Sequence, residues 1–176
     1  MQKFSNKLIA ADNQIFYYFQ SKFRNDLVDN LFIFVTNLGS WQFLTLLTLF
    51  IIFLKPKVHP MLGWELAAVL IPSHLIVQVL KRIINRKRPY IRLADVEYLT
   101  EPFEPYSFPS GHTTASFAAA ITLSLTFPQL SILFISTALA VGISRIYLGV
   151  HYPSDILIGI IIALFFSVLV HNLFII

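Results

Sequence analysis

Apolar residues gather along this chain in long blocks separated by short polar joints. Over residues 1–24, Phe4, Leu8, Ala11, Ile15, Phe19 and Phe23 recur at helical spacing, with Lys3, Lys7, Gln14 and Lys22 elsewhere. That spacing predicts an amphipathic helix, either lying in a membrane interface or packed on the surface of a bundle. Five apolar runs follow. Residues 31–54 read as one irregular span, interrupted at Asn37-Leu38-Gly39-Ser40 and able to divide at Gly39, and Lys55-Pro56-Lys57 stops it. The second span covers residues 61–84 with a kink expected at Pro72, the third 110–127, the fourth 130–147, and the fifth starts at Pro153 and runs to the last residue. Residues 85–108 form the one long polar stretch. A spanning helix takes about 20 apolar residues. The expectation is therefore an all-α integral membrane bundle of five to six transmembrane helices plus the N-terminal amphipathic helix, in a single domain over residues 1–176.

Of the 176 residues, 56% are hydrophobic and 12% charged, and the mean hydropathy is +0.71, too little charge to coat a soluble domain of this size. Disorder, a secreted disulfide scaffold and a collagen-like fibre are excluded. There is no cysteine, hence no thiolate chemistry to consider. Leu8-Ile9-Ala10-Ala11 is broken by Asp12, so no cleavable signal is expected at the N-terminus. The net charge is +4, but Lys and Arg crowd into one segment between apolar runs, which suits lipid phosphates better than nucleic acid.

Spans two and three flank the 85–108 loop, so the end of one and the start of the other share a membrane face. Span three leaves that face and span four returns to it. Three polar clusters therefore converge: Lys81 with Arg88-Pro89, Pro109-Ser110-Gly111-His112, and Ser144-Arg145 with His151 and Asp155. Charges at the ends of apolar spans are costly and mark function. Lys81, Arg88 and Arg145 directed at one point can bind a phosphate, and Ser110 with the Gly111 backbone at a helix start adds donors and the positive end of the helix dipole. His151 and Asp155 lie four residues apart around Pro153, which lets the carboxylate orient the imidazole as a nucleophile. His112, across the phosphate, is placed to protonate the leaving oxygen and then to activate water. Such a pair predicts a bell-shaped pH dependence and a phosphohistidine intermediate.

In this order the clusters resemble the three signature motifs of the type 2 phosphatidic acid phosphatase (PAP2) superfamily, with a match at every position named, over residues 81–155. The resemblance implies a helical-bundle phosphatase, usually metal-independent and without a cofactor. It also implies phosphate contacts from Lys81, Arg88, Ser110, Gly111 and Arg145, an acid role for His112, a nucleophile role for His151 and an orienting role for Asp155. The partner it implies is a membrane lipid bearing a phosphomonoester or pyrophosphate, of the undecaprenyl pyrophosphate, phosphatidylglycerophosphate or phosphatidate type. A phosphotransferase and a non-catalytic phospholipid-binding protein are the alternatives. The second is disfavoured because binding a phosphate requires cations but no nucleophile. A vanadium haloperoxidase shares the site pattern but is soluble, against the hydropathy here.

Other polar residues carry plainer expectations. Arg82, Arg86, Lys87 and Arg92 read as juxtamembrane charges that meet head groups. His59 reads as a loop residue and His171 as a late-helix interfacial one. His74, Gln78 and Lys81 share a helix face and either hold Lys81 or line a polar path, with an internal bundle contact preferred. Asp95, Glu97, Glu101 and Glu104 are too irregularly spaced for a metal site. With Tyr90, Tyr98, Phe103, Tyr106 and Phe108 they read as a lid at the interface. The positive-inside rule by itself puts the loop in the cytoplasm, since Lys55 and Lys57 alone lie opposite; the resemblance favours the outer face, and that is the expectation retained.

Overall fold

The computed structural model describes residues 2–22, 25–54, 57, 59–93, 96, 98–100, 102 and 104–175. The elements are α1 (Gln2–Lys22), α2 (Asp26–Asn37), α3 (Trp41–Leu54), α4 (Leu62–Ile84), the single turn α5 (Pro89–Arg92), α6 (Gly111–Thr126), a 3-10 turn (Pro128–Leu130), α7 (Ser131–Tyr147) and α8 (Pro153–Ile175). Among the described residues there is no strand, and one isolated antiparallel bridge joins Lys87 to Tyr106.

Local chemistry sets most of the boundaries. Asn25 opens α2 by accepting from Val28 N–H at 3.0 Å, and Ser110 opens α6 in the same way toward Thr113. Asn85 ends α4 in the left-handed conformation (φ 57°), its N–H returning to the Lys81 carbonyl at 3.0 Å. Pro89 and Pro153 occupy first-turn positions, where a missing N–H costs nothing.

Helix α6 is central, packed against α4, α7 and α8. Its Ala118 and Ala120 join Val69, Phe117, Ala138, Ala163 and Val170 in the main core, small side chains that let helix backbones approach closely. Outside that core Phe53, Ile83, Ile132 and Phe165 are exposed, as lipid-facing side chains must be. Helices α4, α7 with its leading turn, and α8 are each long and apolar enough to cross a bilayer, and α2 with α3 forms a bent pair, at 48°, that passes together. The sequence reading of residues 31–54 as an interrupted span thus resolves into two helices jointed at Leu38-Gly39-Ser40. Helix α6 has 16 residues, about 24 Å at about 1.5 Å each, short of a hydrocarbon core of about 30 Å. Surrounded by longer helices, it does not have to cover that distance alone.

Helix α1 lies against α7 and α8, with Phe16 fully buried beside Ile146 and Ile156. Its outward residues include Ile15, Tyr17 and Tyr18. Of the amphipathic pattern, Phe23 lies outside the described residues.

Candidate active site

Beyond Tyr147 the chain folds back on the end of α7. Leu148 N–H donates to Ser144 O at 2.8 Å, Gly149 N–H to Ile146 O at 3.1 Å, and the N–H groups of Val150 and His151 both reach Arg145 O at 3.2 Å. Gly149 makes the turn at φ 81°, where a Cβ is disfavoured. The six-residue separation of Arg145 and His151 is thereby fixed by backbone hydrogen bonds. Asp155 follows in the first turn of α8, its Oδ2 accepting from Tyr152 N–H at 2.9 Å.

A second strap, residues 85–88, is zipped to 104–107 by the Lys87–Tyr106 bridge and by Ser107 N–H donating to Arg86 O at 2.9 Å. It carries Arg88 inward, where the guanidinium donates to Glu104 O at 2.7 Å and Val150 O at 3.0 Å. Its Nη1 also lies 3.2 Å from His151 Nε2. A guanidinium can only donate, so that nitrogen accepts and the imidazole proton sits on Nδ1. Nδ1 lies 3.5 Å from Asp155 Oδ2, near but not hydrogen-bonded.

Lys81, Arg88, Gly111, His112, Arg145 and His151 line one cavity of about 360 Å³. Arg145 donates from Nη1 to Thr36 Oγ1 at 2.7 Å, while its Nε is buried with no hydrogen-bond partner among the described residues. The Lys81 ammonium is paired with the Glu104 carboxylate, which also lines the cavity. Burial by itself pushes the Glu104 carboxyl up, but the bond to Lys81 and the charge behind it outweigh this and hold it below the usual carboxylate range. Burial, reinforced by the charges of Arg88, Arg145 and Lys81, holds the His151 imidazole well below its ordinary range. It is neutral at pH 7.

Two of the expected site residues stand behind the wall. Asp155 is fully buried and touches the cavity only through His151. Ser110 is also fully buried, and its Oγ accepts from Thr113 Oγ1 at 2.9 Å as part of the α6 cap instead of lining the cavity.

Several readings of single residues need correction. Arg86 is not a head-group charge: it reaches Asp12 Oδ2 and Asp155 Oδ1, each at 2.7 Å. His171 is not a lone interfacial residue, since its Nδ1 lies 2.6 Å from Oε1 of the buried Glu65. His74 is exposed and, among the described residues, hydrogen-bonds Gln78 of its own helix at 3.3 Å; both line the cavity, so the stripe is a polar wall and not an internal bundle contact. Asp95, Glu97, Glu101 and Phe103 of the expected lid lie outside the described residues. The joint between α2 and α3 also contributes Thr36, Asn37, Gly39 and Ser40 to the cavity. Its signal was a polar interruption at membrane depth, visible in sequence but read only as irregularity.

Residues 62–175 match the PAP2 superfamily. The chain belongs to that superfamily. Among relatives, the lipid A 1-phosphatase of Rhizobium johnstonii is 37% identical over 101 residues, 55% of this chain and 41% of that one. The undecaprenyl-diphosphatase of Sulfolobus acidocaldarius is 31% identical over 135 residues, 75% of this chain and 64% of that one. The match thus spans between 41% and 64% of the length of these relatives. The crystal structure of a transmembrane PAP2 type phosphatidylglycerolphosphate phosphatase from Bacillus subtilis superposes with a TM-score of 0.80 at 30% identity, covering 96% of this chain and 86% of that one. With several apolar helices and a transmembrane PAP2 relative of the same fold, this is a multi-pass membrane protein.

Proposed function

We propose that the chain is a membrane lipid phosphatase that hydrolyses a phosphomonoester or pyrophosphate on a lipid whose tail stays in the bilayer. The observation that carries this is the contact between Arg88 and His151 Nε2 at 3.2 Å, because a phosphate drawn in by Arg88 meets the imidazole lone pair directly. Lys81 and Arg145 complete the cationic wall, and the Nε of Arg145, unpartnered among the described residues, is a donor open to an acceptor. Such a lining collects anions, the opposite of the carboxylate set that a hard divalent ion requires.

In the proposed reaction His151 Nε2 attacks phosphorus while the bond to the leaving oxygen breaks. Asp155 takes up the hydrogen bond from Nδ1–H as positive charge develops on the ring. His112 gives its proton to the leaving oxygen, then removes one from the water that attacks the phosphohistidine, releasing inorganic phosphate and restoring both histidines. Gly111 offers backbone N–H at the positive end of α6 to the phosphoryl oxygens. No metal or cofactor enters any step.

The named relatives act on lipid A, undecaprenyl diphosphate and phosphatidylglycerolphosphate, lipids that share a phosphate and an apolar tail. The test is phosphate release by detergent-solubilised protein from each of these and from phosphatidate, with EDTA present and His151→Ala as control. Release that survives EDTA and vanishes in the variant supports the reading, and the ranking names the substrate. Activity retained by His151→Ala, or none on any lipid by folded protein, overturns it. We place the site on the outer face of the membrane. Tyr98→Cys, at an exposed position in a chain that otherwise has no cysteine, is expected to react in intact cells with an impermeant thiol reagent. Labelling only after lysis reverses that placement.

A further inference from the structure

Behind the cavity lies a second, separate polar cluster. Arg86 Nη1 donates to Asp155 Oδ1 and to Ser154 Oγ, both at 2.7 Å, and Nη2 donates to Asp12 Oδ2 at 2.7 Å. The guanidinium carbon stands 3.9 Å from the centre of the Tyr152 ring. Asp12, on α1, also accepts from Ser154 N–H at 2.9 Å and from Ser154 Oγ at 2.5 Å. None of Arg86, Asp12 or Ser154 lines the cavity.

We propose that Arg86, itself held by Asp12, is the positioning residue that fixes the Asp155 carboxylate and so aims His151. This rests on the phosphatase reading given above. The division of labour at Asp155 carries the inference. One oxygen is occupied by Arg86, which leaves the other to Tyr152 N–H and to the His151 face. Asp155 is fully buried, and a buried carboxylate without a cationic partner either turns to find another donor or takes up a proton. Either event removes the acceptor from behind His151. A planar fork is needed because Arg86 must serve two carboxylates at once, which an ammonium cannot do with the same geometry. Asp12 closes the arrangement by neutralising the second arm of the fork and capping the start of α8 from another helix. Docking of α1 is therefore a condition of catalysis as well as of packing.

The experiment uses the full chain in detergent and compares Arg86→Ala, Arg86→Lys, Asp12→Asn and His151→Ala with the unaltered protein. Measured for each are kcat, KM for the preferred lipid phosphate, the inhibition constant of vanadate as a probe of anion binding, and Tm. Arg86→Ala is expected to lower kcat by about 10- to 100-fold, the range for residues that orient a site through a neighbour. KM and the vanadate constant stay within about twofold, since the cavity cations are untouched. Arg86→Lys recovers part of the lost kcat, and Asp12→Asn loses less than Arg86→Ala. If Arg86→Ala does not fold, Arg86→Lys and Asp12→Asn carry the same comparison. Unchanged kcat in the Arg86 and Asp12 variants beside an inactive His151→Ala overturns the inference and leaves the phosphatase reading standing. A raised KM or vanadate constant at unchanged kcat overturns it too, by making Arg86 an anion ligand. Activity in His151→Ala overturns the underlying reading itself.

Discussion

At the scale of single residues, the proposal turns on the lowered proton affinity of His151. Burial and three cations lower it, so the neutral form that the proposed attack requires persists as pH falls. The acidic limb of kcat/KM is expected below pH about 6.5, the ordinary imidazole value. A limb at or above that value in a pH profile of phosphate release contradicts the assignment of His151. Glu104 gives a second prediction, because its carboxylate now occupies the ammonium that a phosphate must claim. Glu104→Gln is expected to tighten vanadate inhibition by about three- to tenfold, as a charge-assisted bond to Lys81 gives way to a neutral one. Weaker inhibition makes Glu104 a supporter of anion binding instead. The convergence of Lys81, Arg88, Arg145, His112 and His151 on one cavity was legible in the sequence, because polar groups at the ends of apolar spans that share a membrane face must meet there. Arg86 was not, since its neighbours Lys87 and Arg88 carry the same charge and only the fold distinguishes the one turned toward Asp155. Ser110 stands differently from its reading: its hydroxyl sits in the α6 cap, because a hydroxyl at a helix start serves the helix first.

At the scale of elements, the joint between α2 and α3 matters most to the site. A methyl group added at Gly39 would stand 2.5 Å from Val141 Cγ1 and 3.0 Å from the His112 carbonyl oxygen. Gly39→Ala must therefore push the joint off α6 and α7, at a cost of about 1–3 kcal/mol. Lower Tm together with reduced kcat/KM is the expected outcome in a thermal melt and a phosphate-release assay, and no change in either contradicts the close packing. Helices α4, α7 and α8 were readable from apolar length and from their proline and asparagine boundaries. The bend of the first span was visible only as an interruption, because composition records that a run is broken but not where the two halves point. Helix α6 was readable as apolar, while its brevity acquires meaning only from the longer helices around it.

At the scale of the whole molecule, α8 is fastened at both ends. Its start holds Asp155 and Ser154 against Arg86 and Asp12, and near its far end His171 meets the buried Glu65 of α4. His171→Ala leaves that carboxylate without its partner at a cost of about 3 kcal/mol or more. Tm is expected to fall while kcat at 25 °C is retained, since the pair lies at the end of α4 away from Lys81, and replacing both residues by leucine is expected to restore much of the loss. A loss of kcat without a fall in Tm contradicts a purely fastening role. The hydrogen bond from Ser154 N–H to Asp12 joins residues 142 positions apart in the chain. Order of synthesis then orders the assembly. Asp12 is made long before Ser154, so α1 can dock on the start of α8 only after every helix between them has been made, and this contact closes the bundle instead of seeding it.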